Sequence, residues 1–230
     1  TRLAAKANYG GSRSLSNIKF IVIHYTANDG DTDENNGNYF ATTVVKASAH
    51  YFVDDDSITQ SVPDNYIAYS VGGKKYPNTK GAKFYGQCTN SNSISIEICD
   101  DVKNGKIYPS AKTIQNVLEL TRHLMQKYNV PAEHIIRHFD VTGKLCPAYW
   151  VDDAKWKSEF WNKVGDDMTK EEVIKIIQEY EANKAKMPVS AWAKAAWEKA
   201  KKKGIMDGTA PKGTPTREQI AAILDRLGLL

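Results

Sequence analysis

Residues 18–24 (Ile-Lys-Phe-Ile-Val-Ile-His) constrain the fold more than any other stretch of the chain. A short run that is apolar on both faces reads as a central strand with helices packed above and below it. A second run, residues 93–99 (Ser-Ile-Ser-Ile-Glu-Ile-Cys), alternates with period two. Ile94, Ile96 and Ile98 face one way, while Ser93, Ser95, Glu97 and Cys99 face the other. That sets a carboxylate among small polar neighbours, as on a pocket wall. Further strands are expected at 49–54 and near 58–60. Between Pro109 and Asn129, the residues Ile114, Val117, Leu118, Leu124, Met125 and Tyr128 recur at helical spacing, opened by Pro109-Ser110 and followed by Pro131. A helix from Asp153 to about Lys163 would carry Trp156, Phe160 and Trp161 onto the body. Strands interleaved with helices predict an α/β domain over residues 1–165, a mixed central β-sheet flanked by helices.

After Gly165 the strand formers thin out, and residues 166–230 read as a small all-α domain. Thr169-Lys170-Glu171-Glu172 and Thr216-Arg217-Glu218-Gln219 are capping boxes, in which a hydroxyl and a carboxylate or amide three residues on satisfy the first free amides of a helix. Each launches an amphipathic segment, and an Ala-, Trp- and Lys-rich helix over 190–203 lies between them. Trp192 and Trp197 are expected to be core residues, because so Ala-rich a helix needs large groups to bury. The acidic stretch Asp29–Asn38 alternates carboxylates in partial likeness to a calcium loop. It lacks the bidentate Glu at the far end, so a flexible groove loop is expected there.

The formal charge of +4 over 230 residues is mild. It is spread over both halves, which argues against a nucleic-acid partner and suits approach to an anionic wall. No apolar run approaches the roughly 20 residues that cross a bilayer, so membrane insertion is not expected. Three cysteines cannot all pair within one chain. Cys88 and Cys99 are expected as buried thiols, with a disulfide between them as the alternative.

The chemistry concentrates in His138-Phe139-Asp140-Val141-Thr142-Gly143-Lys144-Leu145-Cys146-Pro147. Imidazole and thiolate are both zinc donors, and a loop turned by Gly143 and stiffened by Pro147 is long enough to wrap an ion. With His24 at the end of its strand there would be two His and one Cys, three ligands that leave a fourth position open for water. Lys144 beside a bound cation makes sense if it faces an anion, and a tetrahedral oxyanion is one. His50, inside its expected strand, is ambiguous.

These elements resemble the zinc-dependent N-acetylmuramoyl-L-alanine amidases of the type-2 amidase and peptidoglycan-recognition-protein superfamily. The likeness rests on Ile23-His24-Tyr25-Thr26, on Ile96-Glu97-Ile98, and on the loop from His138 to Pro147, and it covers about residues 15–164. It implies one Zn2+ per chain held by His24, His138 and Cys146, with Glu97 as general base and Lys144 stabilising the oxyanion. Some members place a catalytic Tyr in the strand that holds His50. Ala49 stands there instead, which suggests the Glu-based variant of phage endolysins and bacterial autolysins. His50 and Asn28 would be substrate contacts. Residues 192–220 resemble a surface-layer-homology repeat, which implies a wall-binding region, secondary wall polymers as further partners, and a homodimer through the C-terminal domain. An endolysin of this kind would be made in the host cytoplasm and act at the bacterial cell wall.

Three other readings are open. A non-catalytic peptidoglycan-recognition module would have little use for Glu97, Lys144 and Cys146 together. A cysteine hydrolase built on Cys99 and His50 is disfavoured, because Glu97 on the same strand face would raise the thiol pKa. A structural surface-layer protein would account for only the last quarter of the chain.

Overall fold

A computed structural model describes residues 1–28, 30–103, 106–165 and 170–230. The chain divides into two compact units, Thr1–Asp166 and Asp167–Leu230.

The first unit runs β1 (Tyr9–Ser12), β2 (Phe20–Tyr25), α1 (Asp33–Thr42), β3 (Tyr51–Val53), β4 (Ile58–Gln60), β5 (Tyr66–Ala68), β6 (Ser93–Ile98), β7 (Asp101–Lys103), β8 (Lys106–Tyr108), α2 (Ala111–Tyr128), β9 (Ile135–Arg137), α3 (His138–Thr142), α4 (Asp153–Trp156) and α5 (Asn162–Gly165), the last two joined through a wider helical turn. Five strands form the central sheet in the order β4-β3-β6-β2-β9. β3, β6, β2 and β9 are mutually parallel, and β4 pairs antiparallel at the edge, so the sheet is mixed.

The alternation of β2 and β6 decides what each face does. Ile21, Ile23, Ile94, Ile96 and Ile98 are fully enclosed against α2 and the aromatic cluster Trp150, Trp156 and Phe160. Each such side chain contributes about 1.5–3 kcal/mol relative to exposure. Phe20, Val22 and Val141 pack on the opposite face, the face that also carries His24. α2 starts where expected. The Ser110 hydroxyl accepts from Thr113 N at 3.0 Å, and Asn129 ends the helix in the left-handed region.

Residues 33–38 of the expected groove loop depart from expectation, because they belong to helix α1. The Thr32 hydroxyl caps it by accepting from Asn35 N at 3.1 Å, and Asp33 and Glu34 sit favourably in the first turn. Its Asn- and Gly-rich sequence hides a helix that tertiary contact supports. Phe40 stacks on Phe52 at 5.3 Å, and a Cβ on Gly37 would stand 2.7 Å from Thr59 Cγ2, so the glycine lets α1 settle onto β4. β1, β5 and β9 were not foreseen, being too short for periodicity to show.

The second unit contains α6 (Lys170–Lys186), α7 (Lys194–Lys202) and α8 (Arg217–Arg226). α8 opens on the expected box, with Thr216 N donating to Gln219 Oε1 at 2.9 Å and Gln219 N to Thr216 Oγ1 at 3.2 Å. The box expected at Thr169 lies outside the described residues. The core role expected of Trp192 does not hold. Trp192 is 88% exposed, Trp197 is only half-buried, and no residue over 180–230 is buried. A unit of about 64 residues with three helices offers too little facing surface to enclose an indole.

Candidate metal centre and groove

The parallel strands bring their C-terminal ends to one edge, where open α/β sheets gather ligands. Register pairs His24 directly with Glu97 across β2 and β6, while β9, on the other side of β2, runs straight into His138. His24, His138 and Cys146 meet there, each offering a donor atom within 4.8 Å of the others. His24 Nδ1 is 3.9 Å from Cys146 Sγ and 3.7 Å from Glu97 Oε1, and the two imidazole rings lie 4.7 Å apart. All three donors are buried.

The loop carrying His138 and Cys146 is pinned by a residue that sequence reading passed over. Buried Arg137 donates to Asp140 through Nε (2.9 Å) and Nη2 (2.7 Å), to Asp153 at 2.6 Å, and to the Trp150 carbonyl at 2.6 Å. A guanidinium with several fixed donors suits this task. Its signal was present as an Arg immediately before the ligand. From above, Tyr76 N, Ala82 N and Phe84 N donate to the carbonyls of Thr142, Phe139 and Asp140. Gly143 turns the loop at φ +82 under Thr79.

Electrostatics fit a cation. Burial holds the His24 imidazole well below its usual range, helped by His138, Lys144 and His50. Burial, with Lys144, brings His138 down to about 4. Both rings are thus neutral and ready to donate a lone pair. His24 Nε2 and His138 Nδ1 are buried without any hydrogen-bond partner, which is costly unless something is bound. Burial pushes the Cys146 thiol up and Glu97 adds to it, a bias that a divalent cation reverses by taking the thiolate as ligand. Tetrahedral zinc, with bonds of about 2.0–2.3 Å, needs donors roughly 3.3–3.8 Å apart. The donor set and the 3.9 Å separation fit that ion.

Beside the three donors lies a groove of about 590 Å³ lined by Glu97, Lys144, Asn28, Asn36, Tyr39 and Phe52, among others. Glu97 keeps 21% of its side chain open. Burial pushes its carboxyl up to about 8 against the opposing charge of Lys144, with Asp100 and Asp31 adding to the rise. Lys144 and Asn28 are exposed on the same groove. The groove's floor is tied by groups not foreseen. Asp100 accepts from Ala27 N at 3.0 Å and from the Tyr149 hydroxyl at 3.1 Å, and Asp31 accepts from Asp100 N at 3.1 Å and from Asn36. Burial leaves the Asp100 carboxyl at about 7.

His50 is placed differently from the substrate contact expected of it. It is 1% exposed. Its Nδ1 meets Ser95 Oγ at 3.1 Å and Ser95 N at 3.0 Å, and its Nε2 meets Arg13 at 3.0 Å and the Tyr66 carbonyl at 3.2 Å. With both ring nitrogens engaged beneath the sheet's polar face, His50 braces β3 against β6 and has no atom left for a ligand. Cys88 and Cys99 are both free and buried. Among the described residues no helix is long and apolar enough to cross a membrane.

A buried His2Cys set beside a carboxylate and a lysine, at the strand ends of a mixed sheet, is the kind of donor pattern from which metal-assisted hydrolase sites are built. Comparison with known proteins narrows the class. The profile of the N-acetylmuramoyl-L-alanine amidase family matches residues 14–149, and the chain belongs to that family. It is 38% identical over 155 residues to the N-acetylmuramoyl-L-alanine amidase CwlL of Bacillus licheniformis, a match covering 65% of this chain and 41% of that one. A mutant structure of PlyL superposes with a TM-score of 0.58 at 28% identity, over 72% of this chain and 97% of that one. A mutant endolysin from Bacillus subtilis gives 0.56 at 26%, over 71% and 96%. The chain spans under half the length of such curated relatives.

Proposed function

We propose that this chain is a peptidoglycan hydrolase that cleaves the amide between N-acetylmuramic acid and L-alanine, with one zinc ion held by His24, His138 and Cys146. The observation that carries the reading is the approach of Glu97 Oε1 to 3.7 Å from a metal-donor histidine, on a groove that Lys144 also lines. Zinc, when bound, polarises a carbonyl and acidifies water toward ~7. Glu97 takes the proton from the attacking water and returns it to the departing amine. A carboxyl pushed up to about 8 suits both halves of that exchange near neutral pH. Lys144 supplies a fixed positive charge where the carbonyl oxygen gains electrons. Asn28 lies where it can contact the stem peptide. Glu97 and Lys144 disfavour a recognition module that only binds, since binding needs no base.

The division of labour we infer is a catalytic domain over 1–165 and a helical, surface-layer-homology-like region over 166–230 that holds the wall, with secondary wall polymers and a second copy of the chain as its partners. As an endolysin the protein would be made in the host cytoplasm and reach the wall at lysis.

Zinc content and wall cleavage of Glu97→Gln and Cys146→Ala test the site. Glu97→Gln is expected to keep about one zinc and lose turnover by about 10²–10⁴-fold. Cys146→Ala is expected to lose the metal itself. Equal zinc loss in both variants would sink the assignment, and zinc-bearing wild type that leaves purified walls intact would favour recognition without hydrolysis.

A further inference from the structure

Asp33 opens helix α1, and Asp54 and Asp56 lie on the turn from β3 to β4. The three carboxylates each bring an oxygen within 4.8 Å of the others. Asp33 is 1% exposed and Asp54 is 7% exposed, so this is not a solvated acidic face. Asp33 Oδ1 accepts from the Ser57 hydroxyl at 2.9 Å, but Oδ2 is buried with no hydrogen-bond partner. Asp54 Oδ2 accepts from Asp33 N at 3.0 Å, and Oδ1 accepts from Asp56 N and Ser57 N at 3.1 and 2.9 Å. Those amides fold the turn so that all three side chains converge. Among the described residues, the ion pairs use Glu97, Asp64, Asp140 and Asp153, and none reaches this cluster. A buried carboxylate oxygen with neither donor nor counter-charge is expensive.

We propose that Asp33, Asp54 and Asp56 form a calcium site, separate from the His24–His138–Cys146 centre, that clamps the start of α1 to the β3–β4 turn. Hard oxygen donors with no nitrogen or sulfur among them select a hard cation. Calcium bonds of about 2.3–2.6 Å let opposite ligands stand up to roughly 5 Å apart, whereas magnesium at about 2.1 Å limits them to roughly 4.2 Å. Calcium's longer bonds and flexible coordination tolerate an irregular carboxylate set better than magnesium's strict octahedron, and waters would complete its shell. Burial pushes the Asp33 carboxyl upward, with the Ser57 hydroxyl opposing and Asp54 adding. A bound dication would remove that strain. Without it, the mutual repulsion of the carboxylates favours keeping a proton among them. The consequence reaches the groove, because Asn35, Asn36, Tyr39 and Phe40 on α1 form one of its walls. The site stands whether or not the hydrolytic reading holds.

Calcium chloride alone, titrated into the full chain by calorimetry and followed by thermal melting, tests the inference. One calcium per chain, with a Kd of about 10⁻⁴–10⁻³ M and a rise in Tm, is expected. Asp56→Asn, at an exposed position, should weaken binding at least about tenfold while leaving calcium-free melting unchanged or higher, since it removes like-charge repulsion. Glu119→Gln, on the exposed side of α2, should leave binding untouched. No heat and no melting shift up to about 10 mM calcium would overturn the site. Binding unaffected by Asp56→Asn would place calcium elsewhere and overturn it too. Magnesium binding as tightly as calcium would overturn the assignment of the ion.

Discussion

The two units of this chain are held by different physics. In the first, Ile21, Val22, Ile23, Ile94, Ile96 and Ile98 are sealed from water on the faces of one sheet. In the second, no residue over 180–230 is buried, and Ile177, Tyr180, Trp192, Ile220 and Leu230 all expose half or nearly half of their surface or more. The first unit carries its stability in non-local burial. The second, within itself, relies on caps, helix propensity and partial contacts, which rarely give a stretch of its size much independent stability. A chemical site that must hold donors to fractions of an ångström sits in the former, where the surroundings can enforce it.

The contrast can be broken most directly at Arg137. Replacing it with Ala leaves Asp140 unpaired and removes donors from the Trp150 and Val151 carbonyls. A loss of about 3–5 kcal/mol in denaturant unfolding, together with weakened zinc uptake, is expected. A smaller pair of changes compares the units on equal terms. Ile23→Ala should cost about 2–5 kcal/mol by cavity formation, whereas Ile220→Ala should stay within about 0.5 kcal/mol. If the two costs proved alike, the second unit would have an enclosed core and the comparison would fail. Hydrogen exchange on the full chain should show α7 and α8 exchanging well before β2 and β6.

The gentlest test is acid titration. Burial, with Arg13 adding, lowers His50 from its ordinary 6.5 to about 3, against opposing contributions from the Tyr66 carbonyl and Asp64. Below pH 6.5 the unfolded chain takes up a proton that the folded chain refuses. Stability from this group is therefore complete above about 6.5 and is lost as pH falls toward 3. His50→Gln should flatten the slope of unfolding free energy against pH in that window, and an unchanged slope would assign acid sensitivity elsewhere.

The strands bearing His24 and Glu97 were legible because β2 and β6 carry regular apolar patterns, and α2 because its stripe spans about four turns. The donor loop was legible through its chemistry, since His138, Lys144 and Cys146 fall so close together. What escaped is what tertiary contact alone decides. Helix α1 depends on Phe52 and Thr59 from other strands. β9 has three residues, too few for any period. His50 read as a site residue because the sequence does not show that Ser95 and Arg13 occupy its ring. Trp192 read as core because composition says what could be buried, not whether enough surface faces it.

The parallel register that sets His24 against Glu97 also sets the moment at which metal can enter. His24 and Cys146 are 122 positions apart, and β2 joins β6 and β9 only across long connections. Loop-closure entropy must be overcome before any of those pairings is rewarded, so the donors cannot gather ahead of the sheet. An ion held there would be a witness of folding rather than its template, stabilising the finished chain by mass action to the extent that it prefers the folded site.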